Sequence, residues 1–252
     1  MRSFLVTAKD LLFPPRCAGC GRTMPPALGK ETPRAFCAEC SEEWEREMRR
    51  SCPQCGLSYC DCRCLPSVMK RAGVAAYIRL CPYGEGKDFR VAHRVIWDLK
   101  RSPRPRVLAR VAEDLAPALL RELARLNAPA DKTVITYLPR SRAKRRRVGV
   151  DQAEELARAI SRQTGLVICP LLARTRRTKE QKRLNAKMRA ENLKNAFSLA
   201  RPVPAPFVVL ADDLVTTGAG MSVAAKVLRA GGAKEVLAVS IAYTERKAQN
   251  FR

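Results

Sequence analysis

The segment "VVLADDLVTTGAG", residues 208–220, sets two adjacent carboxylates, Asp212 and Asp213, at the end of an apolar run and follows them with two hydroxyls and two glycines. The apolar run predicts a buried strand, and "GMSVAAKVLRAGGA" (220–233) predicts a helix that ends at its paired glycines. In an open parallel sheet, ligands bind outside the carboxyl ends of the strands. We therefore expect a binding site at this turn from strand to helix.

The chemistry of the turn indicates a phosphorylated sugar as the ligand. Backbone N–H groups and hydroxyls at a helix N-terminus bind anions, and Gly218 and Gly220 allow the backbone to approach closely. Carboxylates beside a phosphate site suit Mg²⁺ or sugar hydroxyls. The alternative is that Asp213 and Thr216 only cap a turn, as both residue types commonly do. The segment is neither a Walker loop nor a dinucleotide-binding fingerprint.

The flanking sequence alternates strand-like and helix-like segments. "TVITYLP" (133–139) and "EVLAVSIAY" (235–243) read as strands, "LVIC" (166–169) as a short strand, and "DQAEELARAISRQTG" (151–165) as a helix with Asp151 at its N-cap. Strands that alternate with helices predict an α/β fold with a doubly wound, mainly parallel sheet.

The preceding segment has a different composition. Residues 67–130 offer a β-like "VAAYIRL" (74–80), a helix over about 87–100 and a second helix over about 105–126, which Pro117 should kink or split. We divide the chain into a cysteine-rich module, 1–66, and a domain, 67–252. The domain comprises a helical N-terminal part, 67–130, and a sheet core with the acidic loop, 131–252.

The cysteines predict zinc. Nine of the eleven lie between Cys17 and Cys64, and an odd number would leave one unpaired if all formed disulfides. Two intervening residues let both thiolates of a Cys-x-x-Cys knuckle reach one tetrahedral Zn²⁺. The knuckles begin at Cys17, Cys37 and Cys52.

The simplest assignment places one zinc on the first two knuckles and another on the third knuckle with two of Cys60, Cys62 and Cys64. An interleaved pairing of the first knuckle with the third remains open. We expect closed, structural four-thiolate sites with partner or nucleic-acid docking as an added role. The expected ligands are Cys17, Cys20, Cys37, Cys40, Cys52, Cys55, Cys62 and Cys64.

The charge predicts a polyanionic partner. Lys and Arg number 48 against 24 Asp and Glu, a formal charge of +24. One basic run follows the strand 133–139 and holds Arg140, Arg142, Lys144, Arg145, Arg146 and Arg147. A second occupies 174–189 and includes Arg189. Each could be only a solvated face, but together they exceed what one pyrophosphate requires. Because aromatic residues make up 6% and none interleaves these runs, we expect phosphate contacts rather than base stacking.

Membrane insertion is not expected. No apolar run approaches the roughly 20 residues that a spanning helix needs. The N-terminal apolar stretch is broken by Lys9 and Asp10, so we predict no signal peptide and a cytoplasmic location.

The order strand, Asp-Asp, two residues, Thr-Thr-Gly, helix resembles the phosphoribosyl pyrophosphate (PRPP) motif of type I phosphoribosyltransferases. The resemblance implies that Asp212 and Asp213 are catalytic and contact the ribose hydroxyls, with Mg²⁺ accompanying PRPP. It implies a phosphate-binding role for Thr216, Thr217, Gly218, Ala219 and Gly220, and a pyrophosphate role for the first basic run. Where Gly220 stands, the family commonly has Thr or Ser.

Further segments narrow the resemblance to the ComF family of competence-associated proteins. "KEQKRLNAKMRAENLKNAF" (179–197) is similar to one signature of that family, and "YLPRSRAKRRRVGVDQAEELA" (137–157) to another, in which Val148, Val150 and Asp151 replace the family's Arg, Phe and Asn. "LLFPPRCAGC" (11–20) and "VIWDLK" (95–100) extend it over nearly the whole chain.

The resemblance implies a phosphoribosyltransferase-like protein with an N-terminal double zinc ribbon, associated with DNA uptake in natural competence. As an enzyme, it would let a base or amine displace pyrophosphate from the sugar. The alternatives are a catalytically silent accessory protein that binds single-stranded nucleic acid, and a structural adaptor that docks through its zinc module. The implied partners are a phosphoribosyl ligand, single-stranded DNA and proteins of the competence machinery.

Overall fold

A parallel five-stranded sheet organises the structure, a computed structural model that describes residues 14–25, 34–84, 90–101, 104–140, 149–175 and 195–244. The helices are α1 (Ala38–Met48), α2 (Ser67–Lys70), α3 (Arg90–Arg101), α4 (Pro105–Arg125), α5 (Gln152–Thr164) and α6 (Ala219–Ala230). The strands are β1 (Val74–Tyr83), β2 (Thr133–Tyr137), β3 (Val167–Ile168), β4 (Leu172–Arg174), β5 (Phe197–Leu199), β6 (Phe207–Val215) and β7 (Glu235–Thr244).

The strand order in the sheet is β1-β7-β6-β2-β3, and every neighbouring pair is parallel. Side chains of β6 alternate between two buried clusters: Val209 joins the cluster that holds α4 and α5, and Val208 the cluster that holds α6. Because both faces are covered, most residues of the central strands β6 and β7 are apolar. The predicted doubly wound α/β fold is confirmed.

Helix α4 runs unbroken through Pro117 from Pro105 to Arg125. Of the two outcomes expected for Pro117, splitting therefore does not occur. The missing N–H removes one hydrogen bond, while Leu115 and Leu119 are fully buried on the same helix. Packing of this face outweighs the local cost, as tertiary contacts commonly do in helices.

The cysteine-rich segment shares a core with the rest of the fold. Trp44 of α1 is fully buried in one apolar cluster with residues of α3 and α4, and its Nε1–H donates to Asp114 Oδ2 at 2.7 Å. Glu47 accepts hydrogen bonds from the N–H groups of Val91 and Ala92, at 3.0 and 2.7 Å, and so satisfies the start of α3. Helix α1 thus anchors α3.

Two further features bear on function. Strands β4 and β5 form a separate antiparallel pair on either side of 176–194, the stretch with most of the second basic run, which lies outside the described residues. Among the helices that the structure describes, none combines the length and apolarity needed to cross a bilayer.

Candidate functional site

The loop between β6 and α6 has the strand-turn-helix form that the sequence predicted. Gly218 is the N-cap of α6 with φ of 76°, a left-handed conformation that suits glycine, and the helix begins at Ala219. The N–H and hydroxyl of Ser222 both donate to the Gly218 carbonyl, at 2.9 and 2.7 Å, while the Ala219 N–H donates to Thr217 Oγ1 at 3.3 Å. The loop therefore presents a helix N-terminus, the kind of site that binds phosphate.

Asp212 and Asp213 lie within β6, which continues to Val215. Asp213 is 7% exposed and Asp212 is half-buried. Burial, followed by the adjacent Asp213 carboxylate, raises the pKa of Asp212 well above its usual range. Asp212 Oδ1 accepts a hydrogen bond from the Asp213 N–H at 2.9 Å. Two carboxylates confined in this way favour a divalent cation or hydroxyl donors beside them.

Arg140 connects the acidic pair to the start of α5. Its Nη2 lies 3.5 Å from Asp213 Oδ2, and its backbone N–H donates to Asp151 Oδ2 at 2.8 Å. Burial raises the pKa of Asp151 despite this hydrogen bond. Asp151 is the N-cap residue by backbone position, as predicted, but its carboxylate holds Arg140 in place.

Several buried polar atoms around this site have no hydrogen-bond partner within the described part of the chain. They are Asp213 Oδ2, Asp151 Oδ1, and both amide atoms of Gln152. Burial lowers the pKa of Arg174, and the charges of Asp212 and Asp151 oppose this effect. Arg174 therefore lies within electrostatic range of both carboxylates. Buried polar atoms usually find partners, so these are groups that a polar ligand would satisfy.

The cysteines form two separate four-thiol clusters. One contains Cys17, Cys20, Cys37 and Cys40, the other Cys52, Cys55, Cys62 and Cys64, and within each the Sγ atoms lie within 4.8 Å of one another. This rules out the interleaved pairing that the spacing left open. Each set could hold Zn²⁺ in a closed tetrahedral site, which is structural rather than catalytic.

Backbone donors prepare both clusters for metal. Although burial alone would raise it, hydrogen bonds led by the Cys37 N–H bring the pKa of Cys17 to about 7. In the second cluster, hydrogen bonds led by the Gln54 N–H bring the pKa of Cys52 to about 7 in the same way. Cys17 and Cys52 therefore ionise near neutral pH. The thiolate is the form of cysteine that binds a metal.

Comparison with known proteins finds no matching family model. DNA utilization protein YhgH of Escherichia coli K12 is 34% identical over 228 residues, covering 84% of this chain and 91% of the relative. The protein of that name from Salmonella typhi is 28% identical over 80% of this chain and 87% of its own. Competence protein F of Haemophilus influenzae is 38% identical over 94 residues, 36% of this chain and 41% of its own. The chain belongs to the ComF family.

In this ComF chain the two glycines of the loop serve different needs. A Cβ on Gly218 would lie 3.0 Å from Met69 of α2, in addition to the strain at positive φ. A Cβ on Gly220 would meet only Leu138 Cδ2, at 3.2 Å, and Gly220 is not among the described residues with positive φ. The structure thus requires glycine at 218 more than at 220, where type I phosphoribosyltransferases commonly have a hydroxyl residue.

The second cysteine cluster of this ComF protein contacts a buried arginine that sequence analysis missed. Arg79 of β1 is 3% exposed, and its guanidinium donates to Cys62 Sγ at 3.0 Å and to the Cys64 carbonyl at 3.1 Å. It also lies over Tyr77, with Cζ 4.9 Å from the ring centroid. The signal was a lone cation within the apolar "VAAYIRL".

The structure brings together only part of the predicted ComF site. Asp212, Asp213 and the loop 216–220 lie at the carboxyl edge of the sheet with Arg140. The other predicted cations fall in 141–148 and 176–194, outside the described residues: Arg142, Lys144, Arg145, Arg146, Arg147 and Arg189. Cys60 is outside the second cluster, and its Sγ faces the Leu80 carbonyl at 3.9 Å.

Proposed function

We propose that this cytoplasmic protein binds PRPP or a related phosphoribosyl ligand with Mg²⁺ at the carboxyl edge of the sheet. The main support is the acidic pair near the end of β6, buried Asp213 and half-buried Asp212, with the helix N-terminus at Gly218 after it. The ribose hydroxyls would donate to the carboxylates, and the loop N–H groups would receive the 5-phosphate. Arg140 would face the pyrophosphate.

The same arrangement suits transfer of the phosphoribosyl group. A base or amine nitrogen would bond to the anomeric carbon as the bond to pyrophosphate oxygen breaks, and the displaced proton would pass to solvent. Bound Mg²⁺ would supply charge neutralisation for the leaving pyrophosphate. The protein would contribute position and fixed charge. Asp212 and Asp213 would hold the ribose, and Arg140 would stabilise the departing anion.

Isothermal titration calorimetry with PRPP, with and without Mg²⁺, tests ligand binding. We expect Mg²⁺-dependent heat that disappears in Asp212→Asn/Asp213→Asn. The matched control is Asp131→Asn, because Asp131 is exposed and lies before β2, at the amino edge of the sheet. If the unaltered protein gives no heat with PRPP and Mg²⁺, the proposal fails.

Each cysteine cluster, in our proposal, holds one structural Zn²⁺. Four convergent sulfurs and the backbone donors to Cys17 and Cys52 support this. Elemental analysis of the purified protein should give two zinc ions per chain. A single ion, or none after growth with added zinc, would contradict it.

A second candidate function is binding of single-stranded nucleic acid in DNA uptake, together with proteins of the competence machinery. The formal charge of +24 supports it, and the names of the relatives concern DNA utilization and competence. Alanine at Arg145, Arg146 and Arg147 should weaken binding of a single strand and reduce its dependence on salt. Alanine at three exposed cations elsewhere, Arg121, Arg125 and Lys132, is the control. Affinity that does not change with salt would contradict this candidate.

A further inference from the structure

The outward face of α3 carries an exposed tryptophan between two arginines. Trp97 is 44% exposed, whereas Trp44, the other tryptophan of the chain, is fully buried. The Cζ atoms of Arg94 and Arg101 lie 5.8 and 4.5 Å from the Trp97 ring centroid. Because these residues are three before and four after Trp97, helical spacing places all three side chains on one face.

The same face is strongly cationic. Its exposed residues are Arg90, His93, Arg94, Trp97, Lys100 and Arg101. Arg90 forms an ion pair with Glu43, but within the described ranges Arg94, Lys100 and Arg101 have no carboxylate within salt-bridge distance. The nearest acidic position on the helix, Asp98, pairs with Arg104 at 3.0 Å. This face therefore attracts anions.

The face is held rigidly. Val91, Val95, Ile96 and Leu99 are buried on the opposite side of α3. Glu47 accepts the N–H groups of the first turn, as described above. On the exposed side, the His93 ring is stacked on Tyr83, with centroids 5.6 Å apart. A fixed aromatic surface loses little conformational entropy when a ligand stacks on it.

We propose that this face of α3 is a contact site for single-stranded nucleic acid, in which one base stacks on the Trp97–arginine group while Arg94, Lys100 and Arg101 bind the flanking phosphates. The inference rests on the nucleic-acid candidate above and names a surface for it outside the basic runs. Every base offers a π-face to an aromatic or guanidinium plane, so the contact tolerates any sequence. The other exposed residues of α3 are polar, so the face lacks the contiguous apolar patch that membrane insertion or a partner helix needs.

The experiment titrates the full-length, zinc-loaded protein with oligo(dT) of about 20 nucleotides and with an abasic strand of equal length. Binding is followed by anisotropy of the labelled strand and by quenching of tryptophan fluorescence, which reports Trp97 because buried Trp44 cannot be reached by a stacking base. We expect oligo(dT), but not the abasic strand, to quench the fluorescence. Trp97→Ala should weaken oligo(dT) binding roughly 5- to 100-fold and leave abasic binding unchanged.

Control variants separate stacking from charge. Trp97→Phe should retain most of the affinity, and Leu120→Ala, which removes a similarly exposed apolar side chain on α4, should change nothing. Arg94→Gln with Arg101→Gln should weaken both strands and lower the salt dependence.

The possible failures are distinguishable. If oligo(dT) binds without quenching and Trp97→Ala binds it normally, the stacking site is wrong while the nucleic-acid candidate stands. If neither strand binds, both are overturned, and PRPP binding is unaffected. If vesicles containing phosphatidylglycerol compete fully with oligo(dT) through Trp97, the face is a membrane contact and the inference is wrong.

Discussion

Arg79 Nη2 donates a hydrogen bond to Cys62 Sγ across 3.0 Å, which ties the edge strand β1 to the second cysteine cluster. Four thiolates around Zn²⁺ carry a net negative charge, and a buried guanidinium offsets part of it. The same side chain lies over the rings of Tyr59, Tyr77 and Tyr243. Arg79 therefore joins the second cysteine cluster to the two neighbouring strands β1 and β7.

Replacement of Arg79 by Met should lower the free energy of unfolding by about 2–4 kcal/mol, because it removes a charged hydrogen bond to Cys62 and leaves the cluster charge without its buried partner. Zinc should also leave the second site at a lower chelator concentration. Chemical denaturation and a colorimetric zinc-release assay measure the two effects. Arg63→Met is the control, since Arg63 is next to Cys62 and Cys64 but its side chain is 68% exposed. Equal effects of both variants would contradict a specific role for Arg79.

Cys60 and Cys62 should differ in their contribution to metal binding. Burial raises the pKa of Cys60 to about 11, and its sulfur lies outside the cluster. Cys60→Ser should therefore retain two zinc ions by native mass spectrometry, whereas Cys62→Ser should retain one. Loss of zinc from Cys60→Ser would mean that Cys60 is a ligand.

Asp212→Asn should stabilise the protein in the absence of ligand. Because burial and Asp213 raise the pKa of Asp212 in the folded state, its contribution to stability is fully present below about pH 4, the unfolded pKa, and is lost as pH rises through the folded pKa. Asparagine removes this loss. We expect Tm at pH 7 to rise by at least about 2 °C, the shift that about 1 kcal/mol produces in a protein of this size.

The stabilisation should disappear near pH 4, where Asp212 of the unaltered protein is neutral. Thermal melts across pH 4–8 follow this, with exposed Asp131→Asn as the control. A lower Tm at pH 7 for Asp212→Asn would contradict the prediction. If the variant still bound PRPP, Asp212 would affect stability but not ligand binding.

Gly220→Thr should strengthen phosphate binding several-fold, because it adds the hydroxyl that type I phosphoribosyltransferases commonly have at the start of the helix. Only the end of the Leu138 side chain has to move, by a few tenths of an ångström. Gly220→Ala adds the same Cβ without the hydroxyl and should not strengthen binding. Calorimetric titration with PRPP compares them, and equal affinities for the two variants would show that the hydroxyl makes no contact.

Gly218→Ala should destabilise the protein, whereas Gly220→Ala should be tolerated. The φ of 76° strains any L side chain, and a Cβ would lie 3.0 Å from Met69 Cγ and Sδ. The prediction is a loss of roughly 1–3 kcal/mol in stability by chemical denaturation. An unchanged denaturation midpoint would indicate that the loop adopts another conformation.

Local patterns were sufficient to predict most of the sheet. The apolar runs that became β2, β6 and β7 and the caps Asp151 and Gly165 of α5 were readable because strand burial and helix capping depend on residues near in sequence. The pairing of β1 with β7 was not readable, since the partners lie about 160 positions apart. Whether Pro117 would split α4 was not readable for a related reason: the packing that holds the helix together comes from other elements.

For the functional residues, too, features that depend on nearby residues could be predicted, and features that depend on distant residues could not. The spacing within each cysteine knuckle was informative, but the choice between two ways of combining knuckles depended on the folded path of the chain. The contact of Arg79 with Cys62 was not readable, because nothing nearby in the sequence indicates the Cys62 sulfur. For Trp97 the local pattern was informative and the burial was not. The sequence shows Arg94 and Arg101 at helical spacing from Trp97, but not that Trp97 is exposed.

With zinc in the first cysteine cluster, as proposed, the anchoring of α3 by Glu47 makes metal supply a condition for more than the cluster itself. Cys37 and Cys40 lie at the start of α1, and Glu47 near its end holds the first turn of α3. A newly made chain that finds no zinc would leave Trp44 and its neighbours open to proteases, so we expect zinc starvation to shorten the protein's half-life in the cell. Through this helix, the zinc supply of the cell would set how many copies of the protein it contains.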